Sequence, residues 1–271
     1  MPTRNKAPLL SLSLIAFIIF FSGCQTLPPD AAETKEKALL ETQKSLIVSL
    51  INKGSPEIAI KELRKLEQVY PEDADFPNLT GLCYLSLRDP NEAAKNFKNA
   101  YRLKPSAHIA LNLGSAYIEQ KKYKDAIDLL VKLKGLESTK TYANPERIHH
   151  NIGFAYENLR DYKNAEMNYL TALRINPNYY LTLMRLGQIY ERTNKKLQAI
   201  ETFERARRVC QVCFDPINGL FHNYKVTGKP AEGEAALRSY IAQSTINPVD
   251  RSRAQKLLEK YSSAAKNRRS L

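Results

Sequence analysis

Small, apolar and aromatic positions recur along most of the chain in one pattern, with helical spacing inside a longer period. The period is plainest between Asn151 and Cys213. Asn151-Ile152-Gly153-Phe154-Ala155-Tyr156 returns 34 residues later as Arg185-Leu186-Gly187-Gln188-Ile189-Tyr190. Ala165, Tyr169 and Ala172 return as Ala199, Phe203 and Ala206. Such a period, with its residue types held in register, predicts helix–turn–helix hairpins stacked into a solenoid.

With Gly153 as position 8 of a unit, the other units can be counted. Unit one, about 40–73, has Leu46, Leu50, Gly54, Ala59, Leu63, Leu66 and Pro71. Unit two, 74–106, has Gly81, Tyr84, Ala93, Phe97, Ala100 and Pro105. Unit three, 107–140, has Leu113, Gly114, Tyr117, Tyr123, Ala126, Leu130 and Leu133. Unit four is 146–179, with Tyr162 and the terminating Pro177, and unit five is 180–213, with Leu183 and Leu186. A degenerate sixth, 214–247, holds Ile217, Leu220, Tyr224, Gly228, Leu237 and Tyr240, and 248–271 reads as a helix with a basic tail. Small residues at positions 8 and 20 are expected to let the two helices of a hairpin approach. Aromatic residues at 11 and 24 are expected to fill the space between successive hairpins. Proline at 32 stops the second helix. One hairpin cannot bury its apolar face alone, so 39–247 is expected to form one continuous core.

These residues resemble the tetratricopeptide repeat (TPR) family. The resemblance implies an all-α, right-handed superhelical solenoid of about six repeats that holds other proteins and catalyses nothing. It also implies that positions 2, 5, 9, 12 and 13 of each first helix line a concave groove. These positions supply Val48 and Ile51 in unit one, Leu82 and Leu85 in unit two, and Leu111, Ser115 and Ile118 in unit three. Unit four supplies His150, Phe154 and Glu157, and unit five Leu181, Met184, Gln188 and Glu191. The expected groove is an apolar trough that turns polar in the later units, suited to an extended or amphipathic segment. Chaperone-type TPRs grip a terminal carboxylate with a Lys/Asn clamp; Leu82 and Ser115 stand where its first Asn would be, which disfavours that mode.

The N-terminus reads as an export signal. Arg4 and Lys6 precede the apolar run Leu9–Phe21, which is too short to span a bilayer, where about 20 residues are needed. The run ends in Phe21-Ser22-Gly23-Cys24, which looks like a bacterial lipobox, with Phe21 where an aliphatic residue is usual. Residues 1–23 are then a lipoprotein signal peptide, Cys24 the acylated N-terminus, and 24–38 a tether stiffened by Pro28 and Pro29. By resemblance to Gram-negative lipoproteins, Gln25, which is not Asp, favours an outer-membrane, periplasm-facing location. Several acyl chains anchor stably where one is marginal.

Arg4 and Lys6 are the only charges before Cys24, so residues 24–271 carry 39 bases against 28 acids, a formal +11. That excess suits anionic surfaces such as phospholipid or cell-wall polymer. No aromatic–basic motif for nucleic acid occurs.

Two further features interrupt the period. Between units three and four the glycine spacing stretches to 39, with the extra residues in Gly135–Pro145, a loop insertion. Near the end of unit five Cys210-Gln211-Val212-Cys213 stands where proline would be expected. A thioredoxin-like pair would need a βαβ setting, and zinc two further ligands. A structural disulfide fits an oxidising compartment and the short separation, acting as a clip at the helix end. Cys83 reads as a buried small hydrophobe. His149 and His150 are adjacent and point about 100° apart on a helix, so they share no metal face. Neither a nucleophile elbow nor a phosphate-binding glycine loop occurs, and no metal or cofactor is expected.

Lipobox, tether and six units together resemble the outer-membrane TPR lipoproteins that act as pilotins for the type IV pilus secretin. This implies binding the secretin subunit and promoting its outer-membrane localisation and multimer assembly. Alternatives are a TPR lipoprotein of the β-barrel assembly machinery, a TPR adaptor for peptidoglycan hydrolases, and a periplasmic thiol oxidoreductase using Cys210 and Cys213.

Overall fold

A computed structural model describes residues 29–133 and 142–269, with side chains for 33–133 and 142–260. The expected signal peptide, Cys24 and most of the insertion before Pro145 lie outside the described residues. The chain divides into two compact units, Met1–Leu46 and Ile47–Leu271. Among the described residues there are thirteen helices and no strand, and no helix is long and apolar enough to cross a membrane.

In the first unit the described residues are the opening turns of α1 (Pro29–Asn52). Lys37 pairs with Glu33 at 2.6 Å and Lys44 with Glu41 at 3.4 Å along this helix. The expected tether over 24–38 is therefore helix from Pro29 onward. Proline suits the first helical position, and the Ala and Glu that follow favour the helix.

In the second unit, after α1 and α2 (Pro56–Val69), five helix pairs follow: α3 (Asp75–Ser86) with α4 (Pro90–Leu103), and α5 (Ala107–Glu119) with α6 (Tyr123–Lys132). Then come α7 (Glu146–Asn158) with α8 (Tyr162–Ile175), α9 (Tyr180–Arg192) with α10 (Lys196–Val209), and α11 (Phe214–Val226) with α12 (Pro230–Ile241). The last helix, α13 (Pro248–Arg269), packs on α12 and α11. Each second helix also packs on the first helix of the next pair, and α3, α5, α7, α9 and α11 touch one another in series. Second helices make no contact of similar extent with each other among the described residues. First helices thus form a closed inner row, and second helices an outer row with clefts between them.

Within a hairpin the close contact is small against large. A methyl group added at Gly81, Gly153 or Gly187 would lie 2.5–2.7 Å from the ring of Phe97, Tyr169 or Phe203. At Gly114 the opposite residue is Leu130, at 3.1 Å. The position-24 side chain therefore lies over the glycine of its own hairpin, not between hairpins as the sequence suggested. The helical glycine leaves a hole in its own helix surface, and the ring fills it. Phe203 does both, because Gly219 of the next hairpin faces its other edge. Tyr156, at position 11, does bridge hairpins, packing against the cluster that holds Leu111 and Leu130 and against the cluster that holds Tyr169. In the sixth hairpin the partners are exchanged. Phe221 stands where units two to five have glycine, and Gly233 stands where the other units have alanine; a methyl group added at Gly233 would meet Phe221 at 3.3 Å.

The turn inside every hairpin has one geometry. The peptide N–H just past the left-handed position bonds back to the carbonyl five residues earlier: Ser55 to Leu50, Asp89 to Tyr84, Lys122 to Tyr117, Asp161 to Tyr156, Lys195 to Tyr190 and Lys229 to Tyr224. This Schellman closure needs a left-handed residue. Gly54 (φ 76°) and Gly228 (φ 77°) take it freely, whereas Arg88, Lys121, Arg160 and Asn194 (φ 59–61°) hold it in four consecutive hairpins. Each basic residue there costs about 1 kcal/mol. The next helix is started by Asp89, whose side chain accepts from the N–H groups of Asn91 and Glu92, and by Asp161, which accepts from Asn164.

Lys104 and Asn176, each before a proline, are extended (ψ 94°) at the ends of α4 and α8. Cys210 ends α10 with the same backbone (φ −127°, ψ 91°) although no proline follows. A disulfide joins it to Cys213, Cα to Cα 5.4 Å, bracketing the turn into α11. The hydroxyl of Tyr240 donates to the carbonyl of Val212 inside that bracket (2.9 Å), and Phe214 packs on the Tyr240 ring. Cys83 is fully buried, and burial pushes its thiol up to about 11.

Gly187→Ala is expected to lower the urea midpoint by the equivalent of about 1–2 kcal/mol, overpacking against Phe203 outweighing the gain in helix propensity. Gly114→Ala, facing a leucine that can shift, is expected to be near neutral. Cys210→Ser with Cys213→Ser should destabilise by about 2 kcal/mol on the chain-entropy scale, with faster amide exchange in α11 and α12.

Candidate partner-binding face

The first helices carry all the residues that the repeat register assigns to a groove, Val48 and Ile51 on α1 and the rest on the inner row. The structure divides them into four groups, the last of them Phe154, Glu157 and Gln188 at or beside a cleft between α7 and α9. Val48 and Leu181 are exposed, and Ile51, Leu82, Leu85 and Met184 half-buried, so apolar surface remains at these places. Leu111 and Ile118 do not line an open trough. Leu111 is 2% exposed, among Ala110, Leu130, Leu133, Ile148 and Ile152, and Ile118 packs against Ala126, Ile127 and Ala155. The close approach of α5 to α7 covers both.

The third group is polar and ties neighbouring first helices together. Asn112 donates to Asn78 Oδ1 (2.9 Å), Asn151 to Ser115 Oγ (3.2 Å) and Asn223 to Glu191 Oε1 (2.6 Å). His150 Nδ1 lies 2.8 Å from Thr182 Oγ1. These four bonds link α3 to α5, α5 to α7, α7 to α9 and α9 to α11. Ser115, His150 and Glu191 were expected as groove-facing polar residues; their polar atoms are used in this ladder. The ring of His150 also meets Tyr169 and Tyr179 at 5.7 and 5.2 Å. Burial, and the charges of Arg185 and Arg147, push its pKa down to about 4.

An open cleft of about 510 Å³ remains between α7 and α9, lined by Phe154, Glu157, Asn158, Arg160, Tyr162, Arg185 and Arg192. Glu157 was expected to face the groove but is 5% exposed, since it forms the floor. One of its oxygens accepts from the Tyr169 hydroxyl at 2.8 Å; the other faces Arg192 at 3.3 Å and Arg185 at 3.7 Å. By burial, and beside this buried carboxylate, the Tyr169 hydroxyl is pushed far above its usual range. The Arg185 guanidinium lies over the Phe154 ring, 4.5 Å from its centre. A cation on an aromatic face gains about 0.5–2 kcal/mol, so Arg185 is held at both ends. One buried negative charge thus positions two half-exposed guanidinium groups beside an aromatic ring, leaving positive charge and N–H donors facing the opening. Such a surface accepts carboxylates and peptide carbonyls. Gln188 is half-buried on the same helix as the two arginines.

Arg185 and Arg192 were not among the residues the sequence singled out. Arg192 is at position 13 of its unit and so was readable as groove-facing. Arg185 is at position 6 and reaches the cleft only because Glu157 and Phe154 of the preceding unit draw it across. Among the described residues no group of three or more His, Cys, Asp and Glu is placed to hold a metal ion.

Comparison with known proteins agrees with this architecture. Two sequence profiles described as tetratricopeptide repeat match, one at 46–105 and 84–134, the other at 146–179 and 181–208. The fold is similar to a solved structure of pilF from Pseudomonas aeruginosa, with TM-score 0.64, 18% identity, and coverage of 80% of this chain and 96% of that one. It is also similar to PilW, described as a widely conserved type IV pilus biogenesis factor, with TM-score 0.66, 17% identity and coverage of 79% and 97%. At these identities the likeness is one of fold. Among curated sequences, ycf37 of Guillardia theta is 33% identical over 94 residues, 34% of this chain. The chain spans about half the length or less of the curated relatives it matches.

The depressed pKa of His150 has a direct consequence. Above about pH 7.5 the residue is neutral folded and unfolded, and contributes no pH dependence. As pH falls from 6.5 towards 4, the unfolded chain takes up a proton that the folded chain refuses, so stability falls, by up to about 3 kcal/mol. Urea unfolding of wild type and His150→Gln from pH 7 to pH 4 should show the two diverging in that window, with the variant losing less.

Proposed function

The chain belongs to the tetratricopeptide-repeat family, and from that premise we propose that it works by binding, without enzymatic activity, as a pilotin for the type IV pilus secretin. In this reading Cys24 is acylated and anchors the chain to the outer membrane facing the periplasm, as Gln25 favours. The inner row of first helices then holds a segment of the secretin subunit. The observation that supports a binding role most directly is the cleft between α7 and α9, where Glu157 and Phe154 hold Arg185 and Arg192 on the helix that also carries exposed Leu181. Arginine next to aromatic and apolar surface is the composition of interface hot spots. A place in pilus biogenesis is supported by the likeness in fold, over nearly their whole lengths, to PilW, a type IV pilus biogenesis factor, and to pilF; the secretin as partner is part of the proposal. A tethered binder raises its own effective concentration at the membrane where the client must insert.

The test is the amount of heat-resistant secretin multimer in a deletion strain complemented with wild type, Cys24→Ala or Arg185→Ala. Loss of multimers on deletion, rescue by wild type, and failure of Cys24→Ala are expected. Arg185→Ala should weaken secretin binding by about tenfold or more, as for a hot-spot arginine. Unchanged multimers in the deletion strain would refute the pilotin reading; lethality would point to barrel assembly instead, and altered septation to a hydrolase adaptor.

A further inference from the structure

The outer row of second helices leaves two clefts that occupy the same place in different repeats. One, of about 790 Å³, is lined by Ala94, Lys95, Lys98 and Arg102 of α4 and by Lys122 at the start of α6, with Tyr101 and Tyr117. The other, of about 620 Å³, is lined by Lys163, Glu166, Met167, Leu170 and Arg174 of α8 and by Lys195 at the start of α10. Counted from Gly81 and Gly153, Ala94 corresponds to Glu166, Lys95 to Met167, Lys98 to Leu170 and Arg102 to Arg174. Lys122 and Lys195 are the equivalent N-cap residues.

The two clefts share a backbone and differ in charge. In the second, Glu166 holds Lys195 at 2.7 Å, and apolar residues take the middle of the helix face. In the first, Ala94 replaces that glutamate, so Lys122 has no carboxylate partner among the described residues, nor has Lys98. Arg102 reaches the neutral Asn99 (3.0 Å), and Lys95 the half-exposed Glu92 (3.3 Å). The lining of the first cleft therefore holds four cations and no carboxylate, against three cations and Glu166 in the second, so the excess of positive charge is larger in the first. Lys95, Lys98 and Arg102 lie on one face of α4, spaced three and four residues apart, over about 10 Å of helix. That is the length of about three residues of extended chain.

We propose that this cleft binds an extended acidic segment of a partner protein, with carboxylates on Lys98, Arg102 and Lys122 and its backbone over Tyr101 and Tyr117. A strand of polypeptide can enter a recess between helices, whereas a flat membrane surface cannot reach its floor. The site is on the opposite row from the first-helix face and does not depend on the pilotin reading.

The probe is a fluorescein-labelled octapeptide of alternating Asp and Ala, titrated with the full-length chain in detergent at two salt concentrations and read by anisotropy. Saturable binding that weakens with salt is expected. Lys98→Glu with Arg102→Glu should weaken it by about tenfold or more, while Lys163→Glu with Arg174→Glu, the same charge change in the other cleft, should weaken it by about twofold or less. Thermal melts of both variants should match wild type, since the altered side chains are exposed. Equal losses in the two variants, absence of saturable binding, or Lys98-dependent binding to phosphatidylglycerol vesicles without binding of the peptide would each overturn the proposal.

Discussion

The stack depends on one contact: a glycine on the first helix of a hairpin lying under a large side chain of the second. Without a side chain at Gly81, Gly153 and Gly187, the rings of Phe97, Tyr169 and Phe203 sink into the facing helix and are fully or almost fully buried. Burying a ring of that size contributes about 3 kcal/mol, and it also sets the distance between the two helices. Once that distance is set, the first helices come close enough to touch along the stack, and the outer helices are left apart. The inner polar ladder and the outer clefts are both consequences of this asymmetry.

On the inner row, packing and recognition compete for the same positions. Ser115, His150 and Glu191 have become ties between hairpins, each hydrogen bond adding about 1 kcal/mol and fixing register. Leu111 and Ile118 have been drawn into the core. Surface for a partner survives where the ties are absent or leave charge in excess, as around Arg185 and Arg192. Glu157 shows how the two demands can be met by one residue. Its buried carboxylate satisfies the Tyr169 hydroxyl below and steadies two arginines above.

The hairpins were legible in the sequence because small and large residues alternate at a fixed period, and that period is a direct image of the packing. The disulfide between Cys210 and Cys213 was legible as well, from spacing and from the missing proline. Less could be read where contacts join residues of different units. Whether Leu111 is open or covered depends on how closely α5 approaches α7, and nothing local to Leu111 records it. Period alone puts the position-24 ring between hairpins, since it does not say which neighbouring glycine the ring fills. The sixth hairpin looked degenerate because Phe221 puts a ring where units two to five have glycine, and Gly233 leaves room for it. Arg185 escaped notice because its place follows from Phe154 and Glu157, both in the preceding repeat.

The left-handed turns give the stack a charged edge. Arg88, Lys121 and Arg160 occupy the same corner of three consecutive hairpins, flanked at the ends by Gly54 and Gly228 and by neutral Asn194. Neighbouring helices sit about 8–10 Å apart, comparable to the screening distance at 0.1 M salt and far below the roughly 30 Å at 0.01 M. In dilute buffer the three corners act together as a single stripe of potential, and at physiological ionic strength as separate points. Since the backbone at each corner is closed by the same hydrogen bond, this stripe is anchored to rigid turns and keeps its spacing whatever the side chains meet.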